Sequence, residues 1–178
     1  QSINKSNLQG FFNRSNNSLI IEDKLFKISF QGFHNAFNFL LVYAVAIELG
    51  IQFEDTNKFD FVSLNGRNKI FKSIKTTIYD ETYNASPESV KACINNLLDN
   101  PNNLFLIFGS MQELGTKSKK YHREIFDFIN RTHIKKCIFI CDKNDEIYYK
   151  DYLRKSNKFI FFNEINKVGE TINKYTKR

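Results

Sequence analysis

Leu104-Phe105-Leu106-Ile107-Phe108-Gly109 carries no polar side chain, and the more polar segment Ser110-Met111-Gln112-Glu113-Leu114-Gly115 follows it at once. A run of this length fits a strand, and an unbroken apolar run fits a parallel strand covered on both faces. Upstream, Thr76-Thr77-Ile78-Tyr79-Asp80 reads as a strand. Pro87 to Leu98 reads as a helix, with Ser86 at its N-cap and proline in its first position. Val90, Cys93, Ile94, Leu97 and Leu98 form its apolar stripe at helical spacing. Downstream come a helix from about Ser118 to Arg131, a strand over Cys137 to Cys141 and a short helix over 145–155. A strand over Lys158-Phe159-Ile160-Phe161-Phe162 follows, then a last helix marked by Ile165, Val168 and Ile172. This alternation predicts a Rossmann-like α/β domain over 65–178, a mostly parallel sheet with helices on both faces. Lys177-Arg178 follows the last helix directly, so the sheet is expected to lack its final elements.

Residues 1–64 have a different character. Ser18-Leu19-Ile20-Ile21 and Leu25-Phe26-Lys27-Ile28-Ser29-Phe30 predict a hairpin around Glu22-Asp23-Lys24. Gln31-Gly32 breaks the pattern, and Phe33 to Leu49 reads as a helix stopped by Gly50. Its apolar residues (Phe37, Leu40, Leu41, Val42, Ala44, Val45, Ile47) cover nearly the whole circumference, the pattern of a helix buried on several sides. Such a helix expects more protein around it than 64 residues supply.

Composition narrows the function classes. With 178 residues, 42% apolar and 25% charged, the chain is long enough for a real core and is not of disordered composition. No apolar run approaches the roughly 20 residues of a spanning helix. The first residues, Gln1-Ser2-Ile3-Asn4-Lys5, do not read as a secretory leader, so a cytoplasmic protein without membrane contact is expected. The net charge of +7 divides unevenly, −1 over residues 1–64 and +8 over 65–178, which places a boundary near Gly66. The lysines are scattered rather than blocked and no nucleic-acid motif is present, so solvated helix faces account for the charge better than a nucleic-acid partner does. Cys93, Cys137 and Cys141 lack zinc spacing and read as small core residues.

Neither a G-x-x-x-x-G-K-[ST] loop nor a G-x-G-x-x-G fingerprint is present, and His34, His122 and His133 lack metal-ligand spacing. No self-sufficient active site is visible. Polar residues do collect at element ends. Asp80-Glu81-Thr82-Tyr83-Asn84-Ala85-Ser86-Pro87 joins a strand end to a helix start, the place where open α/β sheets bind ligands. A carboxylate there can hold ribose hydroxyls, and the free N–H groups of the helix start can face an anion. The same loop reads equally as a well-capped connection with Asp80 as a turn residue. Asn35 and Asn38, one helical turn apart, can present amides to an adenine edge, or can simply be good helix-start residues. Arg67 beside Gly66 is either a phosphate contact or a surface arginine in a linker.

In order and spacing these pieces resemble one family. Gly32-Phe33-His34-Asn35-Ala36-Phe37-Asn38, Gly66-Arg67, Asp80 to Ser89, Gly109 to Gly115 and Tyr121-His122-Arg123-Glu124 look like the later part of a Mur ligase. Tyr83-Asn84-Ala85-Ser86-Pro87 and Met111-Gln112-Glu113-Leu114-Gly115 look most like the MurF branch, which joins D-alanyl-D-alanine to UDP-N-acetylmuramoyl-tripeptide. The resemblance implies that residues 1–64 are the tail of a central ATPase domain and 65–178 most of a C-terminal domain. It implies ATP-dependent ligation through an acyl phosphate, with Mg²⁺ at the phosphates held mainly by parts outside this chain, and a monomeric full-length enzyme. By motif, Asn35 and Asn38 would contact adenine, Arg67 the terminal phosphate and Glu81 the ribose. Tyr83, Asn84 and Ser86 would lie near the incoming dipeptide, and none of these residues would be catalytic. Two departures stand out: Glu81 where the family usually has Asp, and Ser110 where it has the Asp of Gly-Asp-Met. They keep open a non-catalytic binding or scaffold module that has lost its ATPase; a sibling ligase adding a different residue to the peptide is a separate alternative within the enzyme class. The chain alone is expected to be inactive.

Overall fold

The structure, a computed structural model, describes residues 2–5, 8–29, 32–51, 65–67, 69–74, 76–98 and 103–176. Phe30, Gln31 and Lys177-Arg178, to which the sequence reading assigned a strand end, a break and the chain end, lie outside them. The chain divides into two compact units, Gln1–Lys69 and Ile70–Arg178.

In the first unit, β1 (Ser2–Lys5), β2 (Leu8–Asn13), β3 (Ser18–Ile21) and β4 (Lys24–Lys27) form an antiparallel sheet in sequence order. Glu22 and Asp23, at φ 47° and 65°, both in the left-handed region, make a two-residue turn whose twist matches the right-handed twist of the flanking strands. Alternation puts Phe12, Leu19, Ile21 and Phe26 on one buried face. On that face lies α1 (Phe33–Glu48), which buries Ala36, Phe39, Leu40, Tyr43 and Ala46. Phe26 meets the rings of Phe39 and Tyr43, each at 5.3 Å. A Cβ on Gly10 would sit 3.1 Å from Leu19 and 3.5 Å from Leu40, so the bare backbone there makes room for the helix. Gly50, at φ 70°, ends the helix as its sequence foretold. Within this unit the helix has less protein around it than its all-round apolar pattern expects. One stripe is buried, and Val42, Val45, Ile47 and Leu49 are exposed because the four-stranded sheet covers a single face.

The second unit opens with a two-stranded ribbon, β5 (Lys69–Lys72) and β6 (Thr77–Asp80), turned by a Ser73 N–H bond to the Thr76 carbonyl. Next come α2 (Pro87–Leu97), β7 (Phe105–Gly109), α3 (Ser118–Asn130), β8 (Lys136–Ile140), α4 (Lys143–Tyr152), β9 (Phe159–Phe162) and α5 (Val168–Thr176). Strands β7, β8 and β9 form a parallel sheet in that order. The α/β class thus holds. Their shared register places Phe108 beside Phe139 and Phe139 beside Phe161 on one face. Against it pack Ile94 of α2, Ile125, Phe126 and Ile129 of α3, and Tyr149 of α4. Phe126 stands edge-on to Phe139, Tyr149 and Phe159 at 4.9, 5.1 and 5.2 Å, a favoured aromatic geometry. The Lys158 ammonium closes the end of α3 by donating to the carbonyls of Ile129, Asn130 and Thr132 at 3.0, 3.2 and 2.8 Å.

Two expectations fail here. Among the described residues β6 pairs with β5 and not with the parallel sheet. β7, read as covered on both faces, is an edge strand: Phe105 and Ile107 are 43% and 50% exposed. Among the described residues β7 pairs only with β8, so its second face lacks the neighbours that bury Ile138 of the central strand.

Candidate functional site

In the second unit the carboxyl ends of β7 and β8 present a rim, and the connections leaving it are stiffened by their own side chains. Ser110 N–H bonds the Ile140 carbonyl at 3.0 Å, carrying the β7–β8 ladder one residue beyond β7. Met111 is buried, and its N–H donates to Nε2 of His122 at 2.9 Å. Nδ1 of the same ring lies 2.8 Å from the Ser118 carbonyl. An amide N–H only donates and a carbonyl only accepts, so the ring is neutral with its proton on Nδ1. Burial lowers the His122 pKa, against smaller upward effects of the Ser118 carbonyl and of Asp145. Glu113 and Gly115, at φ 61° and 54°, turn the chain back towards α3. At the end of β8, Asp142 caps α4 by accepting from the N–H groups of Asn144 and Asp145, both at 2.9 Å.

The connection from β6 to α2 is held likewise. Oδ1 of Asp80 accepts from the Thr82 N–H at 3.1 Å and its hydroxyl at 2.7 Å. Oδ1 of Asn84 accepts from the Ala85 N–H at 2.8 Å. Ser86 and Ser89 form a reciprocal capping box: the Ser86 hydroxyl accepts from Ser89 N–H at 3.2 Å, and the Ser89 hydroxyl from Ser86 N–H at 2.9 Å. Glu81, Tyr83, Asn84 and Ser86 are all exposed along this segment. Burial, helped by the Glu81 charge, pushes the Cys93 thiol of α2 up to about 11. Burial and the carboxylates of Glu146, Asp145 and Asp142 push Cys141 up to about 12. Neither is a thiolate at neutral pH, which agrees with the reading of the cysteines as core residues.

The structure therefore puts Glu81, Tyr83, Asn84 and Ser86 on one connection of the second unit. Asn35, half-buried, and exposed Asn38 lie one turn apart at the start of α1 in the first unit, and Arg67 is exposed beside Gly66 at φ 75°. Burial lowers the pKa of neighbouring His34. Sequence reasoning missed the work of His122 and Asp142. Asp142 carried a legible signal, an Asp directly before a helical pattern. His122 carried only its i+4 spacing from Ser118. An open cleft of about 670 Å³ lies among Asp127, Asn130, Tyr152 and Lys158, at the other end of the strands. There Tyr152 is paired with Asp127 and Lys158 with the end of α3, groups that serve the fold, so the rim is taken as the candidate site.

A family model described as Mur ligase, glutamate ligase domain, matches residues 66–174, more than half of the chain. The chain belongs to the Mur ligase family. It is 34% identical over 99 residues to a UDP-N-acetylmuramoyl-tripeptide–D-alanyl-D-alanine ligase of Rickettsia prowazekii, covering 54% of this chain and 22% of that protein. Proteins of the same name from Synechocystis and Bacillus subtilis are 30% and 32% identical over 111 and 108 residues. These cover 61% and 57% of this chain, and 24% and 23% of those proteins. Thus the chain aligns with less than a quarter of each of these Mur ligases. A MurF ligase of Thermotoga maritima solved in complex with ADP shares the fold at a TM-score of 0.70 and 22% identity. A MurF of Acinetobacter baumannii does so at 0.77 and 19%. The likeness covers 97% and 99% of this chain, and 38% of each of those chains. Among the described residues there is no group of three or more His, Cys, Asp or Glu side chains placed to hold a metal ion, and no helix long and apolar enough to cross a membrane.

Proposed function

We propose that this chain forms the later part of an ATP-dependent ligase of peptidoglycan precursor synthesis, which joins D-alanyl-D-alanine to UDP-N-acetylmuramoyl-tripeptide in the cytoplasm. The observation that carries the reading is the single activity named for all three Mur ligase relatives, from three different bacteria. In the whole enzyme, ATP phosphorylates the substrate carboxylate, and the dipeptide amine displaces phosphate from the acyl phosphate to form the amide. For the first unit we assign Asn35 and Asn38 to adenine, whose edge suits an amide's paired donor and acceptor, and Arg67 to the terminal phosphate. For the second, Glu81 is assigned to ribose hydroxyls, and Tyr83, Asn84 and Ser86 to the incoming dipeptide. The described residues do not fit a Mg²⁺ site, and none of them is assigned to that ion. As the domain organisation, residues 1–64 belong to the central domain and 65–178 to the C-terminal one, within a monomeric enzyme.

The test is a fusion in which this chain replaces the matched portion of the Rickettsia prowazekii relative, assayed for ADP release and amide product with all substrates. The fusion ligates in a manner dependent on D-alanyl-D-alanine, and the 178-residue chain alone releases no ADP. A fusion that binds ATP but makes no amide would overturn the ligase reading. It would favour instead the non-catalytic module to which the Glu81 and Ser110 departures point.

A further inference from the structure

His122 is 1% exposed, yet it is a polar ring among aromatic ones. Phe139, Tyr149, Phe108 and Phe126 surround it with ring centroids 5.8, 5.5, 6.2 and 6.4 Å away. Both ring nitrogens are committed to main chain, one to Met111 N–H and the other to the Ser118 carbonyl. The Met111 bond is made by the segment that crosses the rim and passes twice through left-handed conformations, at Glu113 and Gly115. An imidazole buried for packing alone would leave its acceptor nitrogen unpaired at a cost; here that nitrogen takes the rim segment's own amide.

We infer that His122 is a positioning residue of the proposed ligation: it latches Met111 and so holds Ser110–Gly115 in one shape as a wall of the substrate rim. This rests on the ligase reading. The latch works only in the neutral ring, because protonated Nε2 has a hydrogen aimed at the Met111 hydrogen and can accept nothing. The titratable and polar groups that meet or act on the ring are Ser118 on its own helix and Tyr149 and Asp145 on α4. Only Asp145 among them is charged at neutral pH. It favours the protonated ring but is outweighed by burial.

Two substitutions separate the latch from simple packing. A glutamine oxygen can reach the place of Nε2 and keep the Met111 bond, whereas asparagine reaches only the place of Nδ1 and keeps the Ser118 bond. Amide exchange measured by NMR on the 178-residue chain is expected to quicken at least about 10-fold at Met111 in His122→Asn, the loss of roughly one buried hydrogen bond. In His122→Gln it stays near the parent, as do the Ile125 and Phe139 amides in both. Should His122→Asn fold poorly, the unsubstituted chain supplies the same comparison. Its Met111 amide, corrected for intrinsic exchange, loses protection as pH is lowered through the ring's titration, and His122→Gln removes that dependence. Unchanged Met111 exchange in both comparisons overturns the latch. In the ligating fusion, kcat/KM for D-alanyl-D-alanine drops about 10-fold with Asn and returns to near the parent value with Gln. Equal rates in all three, with Met111 exchange altered, overturn the positioning role alone. A fusion inactive before any substitution overturns the ligase reading and this role with it, while the exchange data still decide the latch.

Discussion

Ser86 is assigned to the dipeptide by motif, and the fold uses its hydroxyl to start α2; these two roles can be pulled apart. In Ser86→Ala the Ser89 N–H loses the acceptor now 3.2 Å away. The site is exposed, so water replaces part of the bond, and the cost is that of an ordinary cap, about 1 kcal/mol within a range of 0.5–2. The capping box is reciprocal, since Ser89 accepts from Ser86 N–H at 2.9 Å. Ser89→Ala therefore costs a similar amount, and the double substitution costs less than the two together. Ser86→Asp keeps an acceptor over Ser89 N–H and adds a charge at a helix N-terminus, which stabilises by a few tenths of a kcal/mol. Urea unfolding of the chain measures all four, with m unchanged if only the folded state is affected. D-alanyl-D-alanine binding to the ligating fusion then reads the second role. If binding fails in both Ala and Asp, the hydroxyl touches the dipeptide; if Asp restores it, the cap alone matters. An Ala variant as stable as the parent, or an Asp variant as unstable as Ala, would refute the capping argument.

Further outcomes follow from the core and the helix ends. Phe126→Ala removes a fully buried ring with three edge-on partners and should cost about 3–5 kcal/mol, read as a shifted urea midpoint. Lys158→Met keeps the stem but removes three donors from the end of α3. Because the ammonium is only partly buried, the expected loss is about 1–2 kcal/mol, seen as fraying of the last turn of α3 in amide exchange. His122 titrates lower in the folded protein than in the unfolded chain. Its contribution is fully present above the unfolded value near 6.5, and stability falls as pH drops from there towards the folded value, by at most about 1.4 kcal/mol per pH unit. Urea unfolding between pH 7 and 5 should show this slope in the parent and its reduction in His122→Gln.

What the sequence made legible was the covering of elements, and what it hid was their edges. The stripe of α2 predicts the face that packs, because amphipathic spacing records burial. The apolar run of β7 predicts a strand correctly, but periodicity does not say whether a second sheet edge is occupied, and Phe105 and Ile107 are exposed for that reason. The strands β1, β2 and β5 went unread. Gly10 in the middle of β2 looks like a break, and becomes intelligible only once Leu19 and Leu40 are seen pressing on it. Lys69-Ile70-Phe71-Lys72 is too short to show a period. His122 escaped because the search was for side-chain ligands at fixed spacing. Its partners are backbone atoms, one of them eleven residues away, and any residue type at 111 except proline supplies the same N–H.

The same distinction bears on how the rim side chains are read as ligands. Polar residues at strand ends are the first candidates by position, yet in each connection the one nearest the strand closes onto backbone. Asp80 takes the Thr82 N–H and hydroxyl, Ser110 N–H takes the Ile140 carbonyl, and Asp142 takes two helix N–H groups. The ladder bond at Ser110 is a main-chain bond, so the departure from the family's Asp leaves it intact and alters the charge offered at the rim, not the fold. One residue further out, Glu81 and Met111 sit on connections already fixed by these closures. A side chain projecting from a pre-ordered turn loses less freedom on meeting a ligand than one on a slack loop. On this argument ordering the rim and touching substrate are separate roles, and Asn84 and Ser86 are assigned both. Substitutions at the residues that order the rim should therefore act on both stability and binding.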